Sequence, residues 1–168
     1  MLRGDRNDLG RTEEVVAVVL EDPARINELY ETYFQPDEWV RLRTSSSFKR
    51  IWRADKNLFL PFLERFVNDV SKMDQPSTQW TFAEMCYELD EHLTAKQRRT
   101  AETRLKNFLE HSDDWIVQNR SIETLSTWAL DDPKLREWIV PKLETFAAGS
   151  RKSVAGRAQK WLDVFNKA

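Results

Sequence analysis

The side chains best able to do chemistry in this 168-residue chain are few and scattered. Its two histidines, His92 and His111, stand 19 residues apart, and neither has the one cysteine, Cys86, at a metal-ligand spacing. A zinc site needs three or four His, Cys or carboxylate ligands converging on one point. Both histidines fall where helices are expected to end and read as ordinary helix-end residues. Cys86 lies among Met85, Tyr87 and Leu89, a setting for a buried small hydrophobe rather than a nucleophile. One cysteine makes no internal disulfide, which fits a reducing compartment. The sequence has no glycine-rich phosphate loop, no Gly-x-Ser-x-Gly elbow and no kinase-like set of motifs. It therefore assigns no catalytic residue, no metal and no cofactor, and the expectation is a protein that is not an enzyme.

The elements that would position any site are helices. The composition is 40% apolar and 32% charged, with only 4 glycines and 6 prolines. Residues 1–11 read as a flexible leader, and residues 12–168 as one helical domain. After Asp22-Pro23, the residues Ile26, Leu29, Tyr30 and Tyr33 keep the spacing of one helix face. An aspartate oxygen accepts the free first-turn amides, and the following proline lacks an N–H that would go unpaired. Asp132-Pro133 repeats that start signal, Thr94-x-x-Gln97 has the form of a capping box, and Ser112-Asp113-Asp114 offers further caps. Gly149-Ser150 separates two more helical stretches. No alternating strand pattern and no tight hairpin turn is present, so the fold class is all-α.

The strongest signal is an internal repeat. DEWVRLRTSSSFKRIW starts at Asp37 and DDWIVQNRSIETLSTW at Asp113, each with paired tryptophans 13 residues apart, Trp39/Trp52 and Trp115/Trp128. Each is followed by Pro-x-Leu-Glu-x-Phe, at Pro61–Phe66 and at Pro141–Phe146. A divergent copy between them is led by Trp80, and KSVAGRAQKWLDVF near the end matches the second half of the Asp113 copy at an offset of 37. Two helices per period of roughly 35–41 residues is the range of HEAT and armadillo-like arrays. The acidic turn followed by Val and Arg in DDWIVQNRSIETL and in KSVAGRAQKWL resembles the second helix of HEAT repeats. Pro61 and Pro141 resemble the proline of the first HEAT helix. The resemblance covers about residues 20–167. It implies a right-handed α-α superhelix, a short solenoid of about four helical hairpins that bury their apolar faces against one another.

That resemblance also implies where partners would bind. The second helices of such arrays line a concave face, which would hold Arg43, Arg120 and Arg157 as a ladder, with Glu84 in the equivalent place of the divergent copy. The alternative is that Arg120 and Arg157 bond the acidic turn of the preceding repeat. Charge supports a mixed groove, since residues 37–53 carry net +3 with Arg50 among them, residues 77–93 carry −4, and residues 150–165 carry +3. Alternation of this kind suits a complementary protein surface better than a continuous polyanion track. Repetition assigns most tryptophans to packing, and Trp138, which has no counterpart in the other copies, joins the binding candidates. The expected function is thus a non-enzymatic interaction scaffold for a protein or peptide partner. The alternative is nucleic-acid binding related to HEAT-like alkylation-repair glycosylases. With net charge −2 and pI ≈ 5.8, bulk attraction to nucleic acid or anionic lipid is not expected. No stretch approaches the ~20 apolar residues that span a bilayer, and Val15–Leu20 follows an acidic pair rather than a basic region. These points make a cytoplasmic location the expectation and leave oligomeric state open.

Overall fold

A computed structural model of the protein describes residues 9–167, and every structural statement below concerns those residues. Part of the expected leader, residues 1–8, lies outside them. All regular structure is helical: α1 (Thr12–Glu21), α2 (Ile26–Glu31), α3 (Glu38–Ala54), α4 (Lys56–Phe59), α5 (Leu63–Asn68), α6 (Pro76–Glu88), α7 (Ala95–His111), α8 (Trp115–Trp128), α9 (Pro133–Ala147) and α10 (Lys152–Phe165). Short 3-10 turns join several of them. The chain forms two compact units, one up to Phe82 and one from Ala83 onward.

The start signals act as their chemistry requires. Asp37 accepts from the amides of Trp39 and Val40, Asp114 from Ile116 and Val117, and Asp132 from Lys134 and Leu135. Both arms of the capping box close, with Gln97 N–H donating to Thr94 Oγ1 at 3.2 Å and Thr94 N–H to Gln97 Oε1 at 2.8 Å. The two prolines of the Pro-x-Leu-Glu-x-Phe copies behave differently. Pro61 sits in a 3-10 turn (Leu60–Phe62) that divides α4 from α5, whereas Pro141 is accommodated inside an unbroken α9. A proline removes one helical hydrogen bond and crowds the preceding turn, and a neighbouring break is one of two ways to relieve that. The last helix starts later than Ser150: its N-cap is Arg151, with no side-chain cap.

The first unit is built on aromatic rings. Phe48 meets Phe66 with centroids 5.1 Å apart, Phe66 meets Phe59 at 4.8 Å, and Trp52 meets Phe59 at 5.2 Å. The first two pairs are edge-to-face and the third is tilted, and edge-to-face ring pairs add to the area they bury. The sole positive φ is at Gly10, +60°, where the backbone passes over Arg43; a Cβ there would stand 3.1 Å from Arg43 Nε. The second unit is an aliphatic core of Leu105, Ile122, Leu125, Ile139, Leu143 and Ala158, all fully buried. In it α8 packs against α7, α9 and α10, and α9 against α10.

The tryptophans divide by position in the repeat. Trp52, Trp128 and Trp161 are core residues, but the leading ones are not: Trp39 and Trp80 are partly exposed and Trp115 is 48% exposed. Trp39 and Trp115 stand in the first turns of α3 and α8 and Trp80 one turn into α6, so equivalence in sequence does not carry equivalence in burial. Cys86 is fully buried, and burial pushes its thiol pKa well up, with the nearby Asp90 carboxylate adding to the rise. That is the environment of an inert cysteine.

Candidate functional site

The helices α6, α8 and α10 bring together three of the six residues singled out by sequence. From α8, Arg120 reaches Glu84 on α6, with Nη2 3.3 Å from Oε1. From α10, Arg157 donates to Oε2 of Glu123 on α8, and the Trp161 indole N–H lies 3.4 Å from the same oxygen. Arg120 and Glu123 are three residues apart and so share one side of α8. The result is an alternating set of charges, Glu84, Arg120, Glu123, Arg157, in which Arg120 of α8 is paired with a carboxylate of α6 and Arg157 of α10 with one of α8. A buried threonine hydroxyl reinforces the same junction, Thr124 donating to the Ala83 carbonyl at 2.9 Å.

The burial of these groups shows how they are used. Glu84 and Glu123 keep only 5% and 15% of their side-chain surface exposed, while Arg120 and Arg157 keep 42% and 34%. The carboxylates are thus largely desolvated and the arginines cover them. A buried charge requires a partner, and here the arginine supplies it. Arg120 and Arg157 do pair with carboxylates of an earlier helix, but not with the acidic turn expected from the sequence: the acceptors are the mid-helix glutamates Glu84 and Glu123. Some of the face stays open. Tyr87, three residues on from Glu84, is 46% exposed, and Arg120 still presents part of its guanidinium edge.

Three candidates lie elsewhere. Arg43 is 1% exposed inside the first unit, below Gly10, so its charge is not displayed to solvent. Arg50 is partly exposed on α3, bonding the carbonyl and hydroxyl of Ser46 through Nη1. Trp138 on α9 has two ammonium groups at its ring, Lys106 of α7 and Lys142 of α9, each 4.8 Å from the centroid. Those lysines pair in turn with Glu102 at 2.6 Å and Glu110 at 2.8 Å, and hydrogen bonding from Lys142 holds the Glu110 carboxyl below its usual pKa. Trp138 therefore clamps α7 to α9, with its π-system already engaged by cations of the protein.

Sequence reasoning passed over Glu123, although its signal is visible afterwards. Arg157 follows Glu123 by 34 residues as Arg120 follows Glu84 by 36. The same spacing runs through other long-range side-chain bonds. Tyr30 donates to Asp69 across 39 residues, Arg41 to Gln75 across 34, Gln75 to the Glu38 carbonyl across 37, and Arg151 to the Asp113 carbonyl across 38. Among the described residues no group of three or more His, Cys, Asp or Glu is arranged to hold a metal ion. No helix is long and apolar enough to cross a membrane. Compared with known proteins, the chain matches no protein family, no curated protein and no solved structure.

Proposed function

We propose that this protein is a non-enzymatic interaction scaffold, a short HEAT-like solenoid whose stacked second helices offer a mixed-charge surface to a protein partner. The observation that carries the reading is the period of its long-range contacts. The side-chain hydrogen bonds described above that join distant segments span 34 to 41 residues, the length of one helical hairpin repeat. Contacts confined to nearest neighbours are the physical signature of a stacked array. Such arrays present long helical faces, and this one carries alternating charge beside an exposed tyrosine. Complementary charges across an interface set register and exclude wrong partners, and a Tyr or Arg at the centre of a patch is where binding energy concentrates.

The nucleic-acid alternative draws no support from this face, because Arg120 and Arg157 are matched by carboxylates. The test is affinity capture from the native lysate with the full chain as bait, run in parallel with Tyr87→Ala/Arg120→Glu. The reading expects a stoichiometric protein partner that the double variant loses while its helical circular dichroism is unchanged. Duplex DNA bound with a steep inverse dependence on salt, together with no protein partner, would overturn it.

A further inference from the structure

A cleft of about 450 Å³ opens in the first unit between α1 and α2. Val15, Val18 and Val19 line it from α1, Leu29 from α2, Thr32 from the 3-10 turn that follows α2, and Val40 from α3. The described lining begins at Val15 and ends at Val40. Leu9 and Gly10, the first described residues, run along another side of α3, against Leu42, Arg43 and Ser46.

The helix α1 is more apolar than its own packing requires. Val15–Leu20 is an unbroken run of six apolar residues. Val15, Val16 and Val19 are buried, Val18 is half-buried, and Ala17 and Leu20 are exposed. A surface helix needs one apolar stripe, and a helix apolar round more of its circumference is suited to being covered on more sides. In this unit α1 packs on α3, and no other described helix packs against it to a comparable extent. The last helix of the second unit shows a completed arrangement, since α10 packs on both α8 and α9. Among the described residues α1 has no such second cover, and Val15, Val18 and Val19 line the cleft instead.

Charge around the cleft specifies the flanks of the missing cover. Residues 12–38, which contain α1 and α2, carry eight carboxylates and one cation, in a chain of net charge −2. That cation, Arg25, lies in the lining and is already paired with Glu28 at 3.0 Å. Glu21, Glu31 and Glu38 are exposed and form no ion pair among the described residues. A surface so biased draws a basic partner and repels an acidic one. The walls are helices with no strand edge, so an extended peptide would leave its own amides unpaired there, whereas a helix satisfies its own. We infer that the cleft binds an amphipathic helix of a partner protein. Leucine-like side chains at i, i+3, i+4 and i+7 enter between α1 and α2, and lysines or arginines flank them. The inference rests on the scaffold reading only for the partner being a protein, since the charged face of that reading lies on α6, α8 and α10.

The experiment is fluorescence anisotropy on the full chain with three labelled peptides of about 14 residues, roughly four helical turns. One has a leucine stripe flanked by lysines, one has glutamates in place of the lysines, and one is the first scrambled so that no stripe forms. The lysine-flanked peptide is expected to bind about tenfold or more tightly than either of the others. Val18→Glu puts a charge into the apolar wall at a half-buried position and should abolish that binding. Glu28→Lys alters a side chain 68% exposed, so it should leave the fold intact and weaken the lysine-flanked peptide about fivefold. Equal binding of striped and scrambled peptides, a preference for glutamate flanks, or wild-type affinity in a folded Val18→Glu or in Glu28→Lys overturns the inference. So does self-association of the chain that Val18→Glu abolishes, because the occupant is then a second copy. Failure here is separable from failure of the scaffold reading. No peptide preference, with a captured partner lost in Tyr87→Ala/Arg120→Glu, removes the cleft and leaves the scaffold. The peptide preference without any captured partner does the reverse.

Discussion

Replacing Arg157 with methionine tests whether the arginine ladder holds the fold together. Methionine keeps much of the aliphatic stem and deletes the guanidinium, leaving Glu123 15% exposed with only the Trp161 indole as a donor at 3.4 Å. Exposed ion pairs contribute about 0.2–1 kcal/mol, whereas removing one partner of a fully buried pair costs about 3–5 kcal/mol. Arg157 is 34% exposed, which places the pair between these limits. The retained indole contact offsets a little more. The expected loss is about 2 kcal/mol, a fall in Tm of roughly 4–8 °C for a chain of this length. Glu123→Gln and the double variant complete a thermodynamic cycle, whose coupling term is expected near 1 kcal/mol and smaller in high salt. Urea unfolding followed by circular dichroism and by tryptophan fluorescence supplies the energies, provided the two transitions coincide. A cost below about 0.5 kcal/mol with no coupling would refute the structural role and return Arg157 to the binding surface.

Three further predictions are independent of that one. Gly10→Ala places a side chain in the left-handed region against the Arg43 guanidinium; it should destabilise by about 1–2 kcal/mol in thermal melts. Thr94→Ala opens the capping box of α7 and should cost about 1 kcal/mol by urea titration, while Thr94→Ser should restore most of it. Burial is the main cause that raises Asp90 above its ordinary pKa of 3.8, against the opposing pull of Arg98 and a hydrogen bond from Trp128. Over that window the folded state binds more protons than the unfolded state, so this group's contribution to stability is full below 3.8 and is lost as pH rises through the elevated value. The difference in unfolding free energy between wild type and Asp90→Asn should therefore vary with pH in that sense; a flat difference would show that Asp90 titrates normally.

Much of the helical framework was legible because local rules dictate it. Asp37, Asp114 and Asp132 had the right side chain just before an apolar-periodic run, and each caps a helix. What local rules do not encode is the depth at which an equivalent residue sits. Trp39, Trp80 and Trp115 lead the three sequence copies, yet none of them is a core residue. Arg43 shares a register with Arg120 and Arg157, yet ends up beneath Gly10, because a glycine at positive φ lets the backbone cross above it. The candidate site was readable only on one side. Arginines at the repeat spacing were visible, but Glu123 was recognisable as an acceptor only once α8 and α10 were packed together.

The one-repeat reach of the long-range hydrogen bonds also shapes how the chain acquires its structure. Each closing step joins segments no more than about forty residues apart, so the entropy of closure stays nearly constant along the chain instead of growing with distance. Contact order is kept low for that reason, which favours rapid folding. The same locality sets the order of opening. The long-range bonds of α10 described here run to the turn before α8 and to Glu123, so it can detach while the junction of α7 with α8 persists. Amide exchange along the second unit should therefore rise toward α10 in steps, one helix at a time.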